Sequence, residues 1–192
     1  MTDRWTQKRM AEIATEERRE LGLAIMDPVD PYDLAESHGI SVYPISELGN
    51  HGCSAITVEH FSVKRKKAWS AALIPVGRAR IIVENDSHEM VRRRSNLAHE
   101  MSHHLLEHQF VAALLTEDHS RAYSEKVEKE ALFLSGELLV PAEACKRLAF
   151  DEADNATVAQ MFAVSIQFAQ MRMAGPRVMA KRARQKQSRA RR

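Results

Sequence analysis

His99-Glu100-Met101-Ser102-His103 spells H-E-x-x-H. Residues four apart on an α-helix project from nearly one face, so two imidazoles at this spacing can share one metal ion. For zinc the bonds are about 2.0–2.1 Å long. Glu100, next to the first histidine, lies beside such an ion rather than on it. There a carboxylate can take a proton from a water molecule and pass it to a leaving amine. The pattern therefore points to zinc chemistry, with His99 and His103 as ligands and Glu100 as general base. The plain alternative is a polar helix face with coincidental histidines, since the chain holds nine. The surrounding residues argue against it: Leu97, Met101, Leu105 and Leu106 can anchor this helix to a core.

A catalytic zinc needs a third protein ligand and an open position. Downstream candidates are His104, His108, His119, Glu125, Glu128 and Glu130. His104 points about 100° away from His103 on a helix. His108 is too far along the same helix, and no Gly and third histidine follow at the metzincin spacing. The next helix, packed alongside, is the better source. Glu130 enters the apolar stretch Ala131-Leu132-Phe133, where a carboxylate is costly unless paired or bound to a metal. On the residues alone Glu130 leads and Glu128 follows, separated only by this burial argument.

The elements that must position these groups follow from patterning. Residues 4–22 read as an amphipathic helix. Prolines 28 and 31 break it, a short helix spans about Tyr32–His38, and Gly39 ends that. Four β-like segments follow: 40–44, 54–58, 68–75 and 79–84. Asn85-Asp86-Ser87 closes the last strand and offers a helix cap. Helices are expected over about 93–107, 124–139, 142–149 and 155–173, with a linker at about 109–120. The order helix, sheet, helices predicts an α+β domain with a small mixed sheet. Trp69–Ile74 would suit a sheet edge that binds an extended peptide, or a fully paired strand. Tyr123 reads as a packing tyrosine, with oxyanion assistance as the sharper alternative.

The chain has 192 residues, 28 basic and 26 acidic. Seven basic residues and no acid fall in 181–192, leaving 21 basic against 26 acidic residues in 1–180. The body is mildly acidic and the end strongly basic. Such a run is expected to be a solvated, disordered tail, with contact to nucleic acid or an acidic partner as the functional alternative. The expected organisation is an N-terminal helical arm (1–26), a catalytic domain (27–173) and a basic tail (174–192). No apolar run suits a membrane span or a signal peptide, and Cys53 and Cys145 match no metal or redox spacing. The expectation is a cytoplasmic protein with free thiols and no membrane association.

Two segments resemble the ImmA/IrrE family of zinc metallopeptidases, a zincin-like fold. The family's A-H-E-hydrophobic-G-H pattern is similar to Ala98-His99-Glu100-Met101-Ser102-His103. Its E-x-E-A-N-x-F-A-x-x-L-L-x-P pattern is similar to Glu128-Lys129-Glu130-Ala131-Leu132-Phe133-Leu134-Ser135-Gly136-Glu137-Leu138-Leu139-Val140-Pro141. Residues 30–40 and 158–165 extend the resemblance, to about 27–173. It implies that the Glu before Ala, here Glu130, is the third ligand. It also implies limited endoproteolysis of a helix-turn-helix transcriptional repressor. Ser102 stands where the family has Gly, and Leu132, Leu134 and Ser135 where it has Asn, Phe and Ala. A catalytically weak, metal-binding regulatory protein of the same fold is the alternative; it would tolerate the loss of Glu100, which a protease would not.

Overall fold

The computed structural model describes residues 5–67, 69–108 and 125–190. Helix α1 (Gln7–Glu20) starts where the Thr6 hydroxyl accepts the Arg9 N–H at 3.2 Å. Asp30 caps α2 (Pro31–Ser37), whose first residue is a proline. Gly39, at φ +66°, turns the chain into strand β1 (Ser41–Pro44). Strands β2 (Ala71–Val76) and β3 (Ala79–Glu84) form a hairpin across Gly77-Arg78. The sheet has the order β1-β3-β2, with β1 parallel to β3 and β2 antiparallel to it. It is the small mixed sheet of the expected α+β class.

The segment expected as a strand at 54–58 is instead a helix, α3 (Ala55–Glu59). The Ser54 hydroxyl accepts the Thr57 N–H at 3.1 Å and starts it, and none of its residues is buried. Alternation in sequence here reflects no buried face, and hence no strand. Asn85 does not cap the following helix either. Fully buried, it donates Nδ2 to the carbonyls of Phe61, Lys66 and Trp69. Its Oδ1 accepts from Ser87. It thus ties the loop before β2 to the end of β3, and α4 (Met90–Leu105) begins three residues after Ser87.

Helix α4 lies between β2 and α5 (Glu125–Leu139). Leu97 and Met101 of α4 meet Leu134 and Leu138 of α5, Leu73 and Ile82 of the sheet, and Met10 and Ala14 of α1 in one apolar cluster. The expected N-terminal helical arm thus packs Met10 and Ala14 into this core. A second cluster joins the end of α5 to α6 (Ala142–Phe150), α7 (Asn155–Phe162) and α8 (Ile166–Ala190). The stretch expected as one helix over 155–173 breaks at Ala163, which adopts φ +50°, and the Ser165 hydroxyl then accepts the Phe168 N–H.

The basic end corrects the expectation of a disordered tail over 174–192. Helix α8 continues through it to Ala190. Ala180 is buried, Arg177 donates to Asn155 and the Ala153 carbonyl, and Arg184 reaches the Ala149 carbonyl and pairs with Glu152. These anchors hold the helix to its neighbours, and positive charge near a helix C-terminus is favourable. The expected linker at 109–120, His119 and Tyr123 lie outside the described residues.

Candidate metal centre

The spacing of His99 and His103 on α4 brings both Nε2 atoms to one point, 3.1 Å apart, with the rings nearly perpendicular. Helix α5 packs alongside and supplies Glu128. Its Oε2 is 3.2 Å from His99 Nε2 and its Oε1 3.6 Å from His103 Nε2. These are the only three metal-type side chains brought within mutual reach of one ion among the described residues. Four donors placed tetrahedrally at 2.0–2.1 Å from zinc would stand about 3.3–3.4 Å from one another. The two imidazole nitrogens stand close to that separation, each lies within 3.6 Å of a Glu128 oxygen, and one donor atom from each residue lies within 4.8 Å of the others, so the donor set suits one ion. His103 is buried, whereas the side chains of His99 and Glu128 are 26% and 43% exposed. The group is closed on the core side and open on the solvent side, as a site that keeps a position for substrate or water must be.

Glu130, the expected third ligand, is not in this group. Two residues on from Glu128 it lies about 200° further round α5. It is buried, as its apolar neighbours imply, but a different partner explains the burial: His108 Nε2 stands 3.2 Å from Glu130 Oε2. Lys126 approaches the other oxygen at 3.8 Å. His108 is also not where a continuing helix would put it. Helix α4 ends at Leu105, Glu107 adopts φ +51°, and the His108 N–H donates back to the His103 carbonyl at 3.0 Å. This turn brings His108 Nδ1 to 2.9 Å from His103 Nδ1. Burial pushes the His108 pKa down against the opposing pull of Glu130, which favours the neutral ring.

Glu100 is buried, and its Oε2 accepts the Leu73 N–H of β2 at 2.9 Å. Among the described residues β2 pairs only with β3, so Leu73 lies on a sheet edge. The bond fixes Glu100 between that edge and the two histidines that flank it in sequence. His104 faces elsewhere, as the helical geometry requires. Its Nδ1 meets Arg80 at 2.7 Å and its ring stacks edge-on against His38. Burial, then the Arg80 charge, hold its pKa down to about 4. His38 pairs with Glu17, His51 stacks on Tyr43, His60 stacks on Phe61, and His88 bonds the Lys66 carbonyl.

The unusual residues fit without disturbing the centre. Ser102 is fully buried and its hydroxyl turns back to the Ala98 carbonyl at 2.8 Å. Leu132 is exposed, one turn on from Glu128 along α5, while Leu134 is core.

Sequence reasoning gave Glu128 second place and set His108 aside. A helical-wheel comparison of Glu128 and Glu130 against the apolar stripe Val127, Ala131, Leu134 and Leu138 shows only that they face opposite ways. Which of the two meets α4 depends on how the helices pack.

Comparison with curated proteins and with solved structures yields no significant match. The family model of the M78 peptidases, described as the IrrE N-terminal-like domain, matches residues 35–174. That span covers the sheet, the H-E-x-x-H helix, α5 and the helices packed behind them, and the chain belongs to this metallopeptidase family.

Proposed function

We propose that the protein is a zinc-dependent endopeptidase that makes limited cuts in a regulatory protein. The observation that carries this reading is the convergence of one donor atom each from His99, His103 and Glu128 within 4.8 Å of one another, with Glu100, next to His99 in sequence, buried. His99, His103 and Glu128 would hold the ion. Zinc, when bound, polarises a peptide carbonyl and makes water acidic enough to attack near neutral pH.

Glu100 would accept the proton of the attacking water and return it to the departing amine. The Leu73 N–H would hold the carboxylate in place for both transfers, so that little orientation is lost at the moment of reaction. The edge of β2 away from β3, where Leu73 already meets Glu100, is extended backbone of the kind along which a substrate segment can lie. Membership of the family supports peptidase chemistry. The choice of a helix-turn-helix repressor as substrate rests on the resemblance to ImmA/IrrE peptidases, and a cytoplasmic activity is part of the same proposal. None of the described helices is long and apolar enough to cross a membrane. A basic helix end that touches nucleic acid would bring the enzyme to a DNA-bound repressor.

The test incubates zinc-loaded protein with repressors encoded near it and follows fragments by mass spectrometry. Glu100→Gln keeps the acceptor oxygen for Leu73 but cannot take the water proton. It should retain zinc and lose roughly 10²–10⁴-fold in rate. Identical fragments from both proteins would refute the role of Glu100. No fragments from either would refute repressor cleavage and favour a binding protein of the same fold.

A further inference from the structure

Behind the metal-facing histidine lie two buried groups, His108 and Glu130, that the proposed reaction does not use. His103 turns Nε2 toward His99 and Glu128, so its other nitrogen, Nδ1, faces inward. That nitrogen is 2.9 Å from His108 Nδ1, and His108 Nε2 is 3.2 Å from Glu130 Oε2. The side chains of His103, His108 and Glu130 are 1%, 5% and 10% exposed. Water therefore has little access to replace any link.

We propose that His108 and Glu130 are positioning residues that fix the tautomer and ring orientation of His103 for metal binding. The inference rests on the metal reading above. A histidine that gives Nε2 to a metal carries its proton on Nδ1. That proton can be donated only to an unprotonated His108 Nδ1, which puts the His108 proton on Nε2. Nε2–H in turn needs an acceptor, and the Glu130 carboxylate is there. One proton arrangement satisfies all three groups, and it is the one that leaves His103 Nε2 free for the ion.

The carboxylate end matters because a nearby negative charge raises the basicity of the ligand it reaches through hydrogen bonds, and such outer partners commonly carry 10–100-fold of metal affinity. The contrast with other buried acids is informative. Glu84 and Glu137 are each closed by a guanidinium, at 2.5 and 2.6 Å, whereas Glu130 closes on an imidazole that touches a ligand.

The test measures zinc affinity by chelator competition for wild type, His108→Ala, Glu130→Ala, the double variant and Glu130→Gln. Circular dichroism checks each fold. Both single alanine variants should bind zinc 10–100-fold more weakly. The double variant should be no weaker than the worse single one, because the groups act in series. Glu130→Gln keeps an acceptor for His108 Nε2–H but loses the negative charge, so its affinity should fall between those of wild type and Glu130→Ala. Long-range ¹H–¹⁵N spectra of the zinc-loaded protein should place the proton of His103 on Nδ1 and of His108 on Nε2.

Alanine variants within twofold of wild type, additive losses in the double variant, or a His108 proton on Nδ1 would each overturn the relay while leaving the metal reading intact. If wild type takes up no zinc, or His103→Ala retains it, the metal reading fails and the relay falls with it. Should either alanine variant unfold, the Gln variant and the wild-type spectra still decide.

Discussion

Helix α5 carries buried acids toward both ends, and the two ends treat them differently. At the C-terminal end Glu137 accepts from Arg172 at 2.6 Å and from the Ala142 N–H at 3.0 Å. Arg172 also donates to the Val140 carbonyl just past the helix end, and lies against Gly136, where a side chain would meet its guanidinium at 3.0 Å. A permanent cation and backbone donors satisfy this carboxylate. At the N-terminal end Glu128 and Glu130 face imidazoles, which carry no obligatory charge, and the exposed Lys126 ammonium lies 3.8 Å from Glu130. A largely buried guanidinium–carboxylate pair is thus used to join α5 to α8. The acids beside α4 have imidazole partners, whose protonation can adjust to an ion. The difference separates a carboxylate that holds the fold from carboxylates arranged for binding.

The sharpest way to break this comparison is to remove one acid from each end. Glu128→Gln should abolish stoichiometric zinc binding, measured by metal analysis of the purified protein, because an amide is a poor third ligand. The melting temperature of the metal-free protein should barely move, since the Glu128 side chain is 43% exposed. Retention of one zinc by this variant would return Glu130 to consideration as the ligand.

Arg172→Met should behave in the opposite way. It leaves Glu137 buried and unpaired, which typically costs about 3–5 kcal/mol. For a chain of this size that is a drop of roughly 6–20 °C in melting temperature. Zinc stoichiometry at temperatures where the variant is folded should stay at one. A variant with normal stability would show that the C-terminal acid is not a structural keystone, and the contrast between the two ends would fail.

How legible this was depends on the range of the interaction. The His99/His103 pair is set within one helix, so spacing alone placed it. Strand β3 matched its expected limits because alternation and the flanking turn are also local. Glu130 was correctly read as buried, but the burial had a cause no pattern reveals: it depends on the left-handed turn at Glu107, which reverses the chain and brings up His108. The choice between Glu128 and Glu130 is a matter of how α5 is rotated against α4, and that is decided by packing of Leu97, Met101, Leu134 and Leu138. The segment 54–58 failed for another reason. Its alternation is real, yet it buries nothing, and the Ser54 cap selects helix.

The smallest expected effect concerns the end of α8, where composition suggested disorder and the structure shows helix. A chain ending after Gln185 keeps Ala180, Arg177 and Arg184, the last described side chains that anchor the helix. The removed residues are exposed as far as they are described. Truncation there should cost less than about 0.5 kcal/mol, as surface changes usually do. It should also remove helical signal in circular dichroism and leave zinc binding unchanged. A chain ending after Val178 loses the buried Ala180 and the Arg184 bonds to Ala149 and Glu152 as well, and should cost on the order of 1–2 kcal/mol. If both truncations cost nothing and remove no ellipticity, the end is coil in solution and the basic run acts only as a solvated extension. If the shorter truncation already destabilises strongly, residues beyond Gln185 contribute to the fold through contacts on which the helix depends.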